Sequence, residues 1–301
     1  MMNYPGQNNR WAAYFEDVPI YDDLHNLNQY SAMETARYLL LHPEEDPIWQ
    51  IHVAKLVSWA EQTFGRDVPG EPGVQWGANA ISEQIVDMYK MGSHTSPYAS
   101  VNALWYERSR DVQAKEKAFR SFNWATYLCH ENGAVNDLAV ASQTIWFSDG
   151  YGDYIRHFMA GLGSVPEWAP PHQDHLVRST SVVQNVSYRP GDITYSTFDS
   201  DAAEVLRLSF SPKHILADGK ELARRDDLAA PGWTFDAQGV LRVRHEGSHT
   251  VQILGGSAGQ GRRDNPLLRG GLKRGAPQPP LSDTARDTQP LPNEPVKEKQ
   301  R

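Results

Sequence analysis

The chain has 301 residues, of which 40% are hydrophobic and 22% are charged, so it can build one large hydrophobic core or two smaller ones. Its formal net charge of −8 excludes a general nucleic-acid binder, which needs a basic face to neutralise phosphates. A single cysteine, Cys129, excludes an internal disulfide framework and a cysteine-rich zinc site. No apolar run approaches the roughly 18 residues that span a bilayer, so we expect a soluble protein with no membrane partner.

Residues 31–178 are predicted to form helical hairpins, after an irregular lead-in over residues 1–30. Ser31 and Glu34 have the spacing of a capping box, and apolar residues recur every three or four positions along the segments that follow. Helix starts are predicted at six places, namely at Ser31, Asp46, Ser82, Thr95, Val112 and Asp149. The third of these helices is predicted to end at Gly92. Alternating short and long links between the helices indicate three antiparallel hairpins.

The hydrophobic period changes to two over residues 179–255, which predicts β-strands. Pro190-Gly191-Asp192 and Asp218-Gly219 are turn and hairpin signals between alternating apolar residues. About seven short strands predict a compact antiparallel β-sandwich. Residues 256–301 are rich in Gly, Pro, Arg, Asp and Gln with almost no aliphatic residues, so they are predicted to be a disordered tail.

A helical-hairpin region that leads directly into a β-sandwich resembles the (α/α) toroid carbohydrate-active proteins, which include polysaccharide lyases and six-hairpin glycosidase-like hydrolases. The resemblance covers roughly residues 31–255 and rests on architecture and aromatic-rich loops. It implies a multidomain α + β fold, in which a partial (α/α) toroid precedes a small antiparallel β-sandwich. Complete toroids of that group have about five to seven hairpins. With three predicted here, we expect either a missing N-terminal half or a homo-oligomer that completes the arc.

The resemblance implies a carbohydrate substrate and a site in the loops that precede helices, where helix N-termini attract anions such as uronic-acid carboxylates. Asp149 and Asp153 are candidate catalytic carboxylates, and Glu83 is a third that could pair with either of them across hairpins. The nearby aromatic residues that could stack on a sugar are Trp146, Tyr151 and Tyr154. The alternative is that Asp149 caps a helix, Asp153 interacts with the helix dipole and the aromatic residues fill the core.

His94 and Tyr98 are a second candidate catalytic pair, because they offer a base and an acid one helical turn apart. Such a pair favours elimination from a uronate, whereas a pair of carboxylates favours hydrolysis. Further candidates for substrate binding are Trp76, Asn123 and Trp124. Helix capping by His94 and interior hydrogen bonding by the others are the alternatives.

Two other classes of function stay open at this point. The first is a non-catalytic carbohydrate-binding or assembly protein, or an inactive fragment of a larger toroid enzyme. The second is a metal-dependent enzyme that uses His172, Asp174 and His175, three residues with the ligand types of a zinc or iron site. A polar cluster at the domain junction explains this short segment more simply, so we assign no metal and no cofactor.

Overall fold

The computed structural model describes residues 29–69, 72–83, 89–129, 131, 135–136, 147–148 and 150–255. They all belong to one compact unit, Met1–Ala258, and a second unit comprises Gly259–Arg301. The predicted tail lies outside the described residues, as does the predicted lead-in up to residue 28. The described part combines helices with antiparallel sheets, which confirms the α + β class. None of its helices is both long and apolar enough to cross a bilayer.

Five α-helices occur among the described residues. They are α1 Tyr30–Leu41, α2 Trp49–Phe64, α3 Gly92–Ser109, α4 Val112–Thr126 and α5 Arg156–Ser164. A π-helical segment, Gly150–Ile155, leads directly into α5, and single 3-10 turns follow α1 and α5. All five correspond to predicted helices, although α3 begins at Gly92 rather than at Thr95 and α4 ends at Thr126 rather than near residue 132.

The predicted helix between Ser82 and Gly92 is wrong at both ends. Ser82 pairs with Lys90 in an isolated antiparallel bridge, and Gly92 begins α3. Residues 84–88 lie outside the described part. The fully buried Lys90 donates from Nζ to the carbonyl of Phe64 over 2.8 Å, and the Ser82 hydroxyl donates to the same oxygen over 3.2 Å. These donors satisfy the last carbonyl of α2, a task that apolar periodicity does not reveal.

Helix α3 is the centre of the helical part, and it contacts α1, α4 and α5. Twelve of its 18 residues are buried, including serine, threonine and asparagine. Arg110 adopts a left-handed backbone with φ 63° and ends α3. The Asp111 carboxylate then accepts a hydrogen bond from the backbone N–H of Gln113 over 2.9 Å and caps α4. This tight turn makes α3 and α4 a helical hairpin.

Short strands are associated with the helices. Strands β1 Val74–Gln75 and β2 Ala78–Asn79 form a hairpin before α3, and β3 Val135–Asn136 pairs with β4 Phe147–Ser148 before the π-helical segment. The remaining strands are β5 His175–Ser179, β6 Val183–Arg189, β7 Asp192–Thr197, β8 Ala202–Arg207, β9 Pro212–Ala217, β10 Lys220–Glu221, β11 Gly232–Phe235, β12 Val240–His245 and β13 Thr250–Gly255.

The later strands form two antiparallel sheets, with strand orders β10-β9-β13-β7-β6 and β11-β12-β8-β5. Side chains from both sheets share one hydrophobic core, in which Tyr195, Leu206, Ile215, Leu241 and Ile253 are at most 1% exposed. All of the predicted strand segments are strands. Strands β5 and β10 were not predicted, and β5 begins before the predicted boundary at residue 178.

The four-stranded sheet is buried on its second face as well. Val177, Val205 and Val240 pack there with Ala169, which follows α5. Arg178 of β5 donates to both carboxylate oxygens of Glu107 in α3, over 2.6 and 2.9 Å. Apolar contact and a bidentate ion pair therefore join the helical part to the strands.

Gly161 marks the tightest contact of α5. A Cβ atom at this position would lie 2.5 Å from Cε2 of Phe122, a buried side chain of α4. We expect Gly161→Ala to lower the free energy of unfolding by about 1–3 kcal/mol, because the phenyl ring must move within a packed core. Urea denaturation measures this change. Gly163→Ala is the matched control, since its Cβ would lie no closer than 3.3 Å to Arg178 Cδ and 3.6 Å to the Val177 carbonyl oxygen. Equal losses in both variants would contradict the prediction.

Candidate functional site

The starts of α1, α3 and α5 lie next to one another. The rings of Tyr30 and His94 meet edge to face with centroids 6.3 Å apart, and Arg156 donates to the Tyr30 hydroxyl over 2.8 Å. Further along the helices, Arg37 donates to the Ser100 hydroxyl over 2.6 Å. Helix N-termini carry partial positive charge, so the first turns of α1 and α3 favour anions, whereas α5 continues the π-helical segment and has no free N-terminus at Arg156.

His94, predicted as a catalytic residue, lies in the first turn of α3. The Gln29 amide donates to its Nδ1 over 3.0 Å, which leaves the proton of the neutral ring on Nε2. Nε2 is 3.8 Å from a carboxylate oxygen of Glu83, another predicted catalytic residue. Burial lowers the pKa of His94 to about 4. His94 is therefore a neutral imidazole beside a carboxylate at neutral pH.

A second layer of polar groups lies beneath His94. Arg37 donates to Nδ1 of His157 over 2.9 Å, so the neutral ring of His157 carries its proton on Nε2. His157 is 1% exposed, and its Nε2 has no hydrogen-bond partner among the described residues. Oε1 of the fully buried Gln29 is likewise unpaired there. Unpaired buried polar atoms cost about 1–3 kcal/mol each, so a water molecule or a ligand is expected to pair with them.

The environment of His157 makes stability depend on pH. Burial and the charges of Arg37 and Arg156 lower the pKa of His157 to about 3, whereas a histidine in an unfolded chain titrates near 6.5. Below pH 6.5 the unfolded chain binds a proton that the folded chain excludes, so stability falls as the pH falls toward 3. Between pH 7 and 4.5 we expect this histidine to account for a loss of roughly 2–3 kcal/mol.

His157→Asn tests this expectation, because the asparagine oxygen can still accept from Arg37 but does not titrate. Urea denaturation at pH 7 and at pH 4.5 should show a smaller loss of stability in the variant than in the parent chain. His214→Asn is the control, since His214 is exposed and its removal should leave the pH dependence unchanged. If His157→Asn retains the full pH dependence, His157 is not the group responsible.

Tyr98 is not presented beside His94. Its hydroxyl donates to Glu61 over 2.5 Å and accepts from Asn79 over 3.1 Å, and the side chain is 0% exposed. Burial, with the negative charge of Glu61, raises the pKa of Tyr98 well above its ordinary value. His94 and Tyr98, predicted as an acid–base pair, thus have separate sets of partners. The ionisable residue beside His94 is Glu83.

Trp124 and Tyr154, both predicted to bind substrate, lie in one small core beside the β1–β2 hairpin. Trp124 is 2% exposed and donates from Nε1 to Gln75 over 2.9 Å. The Tyr154 hydroxyl is 2.5 Å from that of Thr126, and burial raises the pKa of Tyr154 to about 12. The neighbouring Asn123, in contrast, is exposed on α4.

Trp76 is exposed at the tip of the β1–β2 hairpin, in edge-to-face contact with Tyr127 at 5.1 Å between ring centroids. Trp76 and Gly77 both have left-handed backbones, with φ 52° and 78°. This pattern fits a type I′ turn, in which Asn, Asp or Gly is usual. A bulky residue in such a conformation costs about 1–3 kcal/mol, so the hairpin holds Trp76 exposed despite a local strain.

The other predicted residues are those of the loop before α5. Trp146 and Asp149 lie outside the described residues. Tyr151 and Asp153 belong to the π-helical segment Gly150–Ile155, and their side chains also lie outside the described part. This segment leads directly to Arg156 and His157, which belong to the polar cluster around His94.

Four residues of this cluster were not predicted, namely Gln29, Arg37, Arg156 and His157. Gln29 was assigned to the irregular lead-in. Arg37 follows the buried Ala36 in a helix whose apolar face was predicted. The sequence alone does not show whether the long Arg37 side chain points toward the core or toward solvent. A signal was present in α3, since Ser100 lies among small apolar residues on a face that is entirely buried.

Comparisons with known proteins add no family, because no protein-family model and no curated protein sequence matches this chain. Function is therefore argued from the site itself.

The alternative metal site at residues 172–175 gains no support. Asp174 accepts a hydrogen bond from the Ser209 amide over 2.7 Å, and His175 begins β5. In the described ranges, no three His, Cys, Asp or Glu side chains are grouped so that they could hold a metal ion.

Proposed function

We propose that this protein is a carbohydrate-active enzyme that cleaves glycosidic bonds in a polysaccharide or oligosaccharide. The observation that carries the proposal is the pairing of His94 with Glu83 where three helices begin. Near neutral pH the Glu83 carboxylate can accept a proton from a substrate, and the Nε2–H of His94, 3.8 Å from that carboxylate, can donate one. Oε1 of Gln29 and Nε2 of His157 are buried and have no hydrogen-bond partner among the described residues, which supports a ligand at the same place.

The surroundings favour an anionic substrate such as a uronic-acid glycan. Helices α1 and α3 begin beside the cluster, and the Arg156 side chain is 45% exposed beside Tyr30. A uronate carboxylate could accept from these groups. In eliminative cleavage, a base removes the proton next to that carboxylate and an acid protonates the leaving oxygen. Glu83 would remove that proton, the Nε2–H of His94 would protonate the leaving oxygen, and proton transfer from Glu83 to Nε2 would then restore both groups.

Hydrolysis is the other form of the same proposal. It needs two carboxyl groups about 5–10 Å apart, one as acid and one as base or nucleophile. Glu83 would supply one of them, and Asp149 or Asp153 the other. The support is that the segment carrying Asp153 leads into the helix that brings His157 to the cluster.

The proposal extends to the fold. We infer that the helices form part of an (α/α) toroid and that the two sheets form a β-sandwich. Neighbouring helices α1 and α2 pack together, as do α3 and α4, and the alternate helices α1, α3 and α5 begin at one end. The shared core of the two sheets supports the second part. A second copy of the chain would complete an open arc of this kind.

A non-catalytic carbohydrate-binding protein is the second candidate. Both ring nitrogens of His94 already face protein groups, and the Tyr98 hydroxyl is engaged by Glu61 and Asn79. A site in this condition would bind a glycan without turning it over.

Product analysis decides among these functions. The purified chain is incubated with alginate, polygalacturonate, hyaluronan and xylan, and reducing ends and the ultraviolet absorbance of unsaturated uronates are recorded in parallel. New reducing ends with absorbance indicate elimination, and reducing ends without absorbance indicate hydrolysis. Saturable binding without products would favour the binding protein. A folded chain that neither binds nor cleaves any of the four would overturn the proposal.

A further inference from the structure

Two aromatic side chains stand out on the surface of the helical part. Trp76 and Tyr127 are each 75% exposed, more than any other large hydrophobic side chain in the described ranges. Their rings are perpendicular, at 85°, so they do not cover each other's faces as stacked rings would. Exposed aromatic residues that lie side by side mark an interaction site more often than isolated ones do.

The backbone keeps this pair in place. Trp76 occupies a left-handed position in a two-residue turn, and a Cβ atom on the adjacent Gly77 would lie 2.4 Å from Nη1 of Arg120. The hairpin tip is thus fixed close to α4, the helix that Tyr127 follows. Trp124 fixes it from below by donating to Gln75 over 2.9 Å. Folding alone does not require a tryptophan in this turn.

Polar groups lie next to the aromatic pair. Asn123 is exposed one helical turn before Tyr127, and Arg120 is exposed one turn earlier on the same side of α4. Arg120 is held by Glu116, to which its Nε donates over 2.6 Å. Aromatic faces with an amide and a guanidinium beside them match a sugar ring, which has apolar C–H faces and a rim of hydroxyl or carboxylate groups.

The aromatic pair lies on the side of the helices where His94 lies. Tyr127 follows the C-terminal end of α4, and His94 is in the first turn of α3, its hairpin partner. Glu83 lies seven positions after Trp76, so their Cα atoms can be at most about 25 Å apart. An extended oligosaccharide could contact both places, whereas a single sugar bound by His94 and Glu83 leaves the pair unused.

We infer that Trp76, Asn123 and Tyr127 form an accessory subsite that binds a sugar ring of a polymeric glycan away from the bond that is cleaved. This inference rests on the proposed function and deepens it, since it makes the substrate a chain of several sugars.

The test compares Trp76→Ala and Tyr127→Ala with the parent chain. Binding to alginate, polygalacturonate, hyaluronan and xylan is measured by affinity electrophoresis, and acrylamide quenching of tryptophan fluorescence is recorded with and without the bound polymer. We expect each variant to bind its polymer about tenfold more weakly. Polymer should protect tryptophan fluorescence from acrylamide in the parent chain and less so in Trp76→Ala. Phe198→Ala, which removes an exposed aromatic residue of the strand region, should change neither.

The outcomes separate this inference from the proposed function. If both variants bind the polymer with the affinity of the parent chain, or cleave it at the parental rate, the subsite is overturned and the proposed function stands. An equal loss in Phe198→Ala would also overturn it, because aromatic exposure in general would then explain the effect. If the parent chain neither binds nor cleaves any of the four polymers, the proposed function fails and the subsite fails with it.

Discussion

His94→Ala should abolish glycan cleavage, lowering kcat by about 10²–10⁴-fold, the range that a positioned acid or base contributes. His94 is a neutral imidazole held between Gln29 and Glu83, and alanine removes the group that exchanges the proton. Initial rates of reducing-end release from the best polymer of the panel measure the effect. Because His94 contacts no reacting atom except through its Nε2, KM should change much less than kcat.

Two comparisons keep this result free of folding effects. His214→Ala removes an exposed histidine of β9 and should retain the parental rate. Urea denaturation of His94→Ala should show a folded chain at the assay pH, since the ring is only partly enclosed. Unchanged cleavage by a folded His94→Ala chain would remove His94 from the chemistry and direct attention to Asp149 and Asp153.

Glu204→Ala should cause a large loss of stability, about 3–5 kcal/mol, as expected when one partner of a buried charged pair is removed. Glu204 lies between the two sheets at 1% exposure, where it accepts from the hydroxyls of Tyr195 over 2.9 Å and Ser179 over 3.1 Å. His245 lies 3.3 Å from the same carboxylate and is also fully buried. The substitution would leave both hydroxyls without this acceptor and His245 without the neighbouring negative charge. Urea denaturation at pH 6 measures the change.

The Glu204 pair also has a defined pH dependence. Burial lowers the pKa of His245, but the hydrogen bond and charge of Glu204 outweigh it, so the pKa is raised above its ordinary value. A raised pKa stabilises the fold below pH 6.5, and this contribution is lost as the pH rises through the folded value. Glu204→Ala should remove it.

The exposed pair of His214 and Glu221 provides the matched control for Glu204. Both of its side chains are more than half exposed, so Glu221→Ala should leave the unfolding curve unchanged. A Glu204→Ala chain as stable as Glu221→Ala would show that the buried carboxylate is not a stabilising tie between the sheets.

Strands and most helices could be predicted because their signals are local. Alternation around Gly191 and Asp218-Gly219 gave strands β6, β7 and β9, since residues of a strand alternate between two faces. The helix predicted from Ser82 was based on the helical spacing of Ile85 and Met88, which lie outside the described residues, whereas Ser82 itself pairs with Lys90 in a bridge. The burial of Lys90 against the end of α2 depends on residues distant in sequence.

The sequence allowed some residues of the candidate site to be predicted, but not which of them lie next to each other. His94 and Glu83 were both chosen as ionisable residues in loops before helices, yet each was paired with another residue. Their juxtaposition depends on how the chain returns to Met91 after the β1–β2 hairpin, where the Met91 amide donates to the Ile81 carbonyl. Arg37 and His157 escaped prediction because sequence periodicity does not distinguish a polar residue on a buried face from one at the surface.

The four-stranded sheet described above has a consequence for how the molecule holds together. Its Leu206 and Leu241 face the other sheet, while Val205 and Val240 face the segment after α5. Both faces of this sheet therefore pack against other parts of the chain. A cut near residue 178 would therefore not release two independent modules, but would expose on each piece an apolar surface that the other had covered. The domain boundary predicted near residue 178 is therefore a change from helices to strands within one shared hydrophobic core.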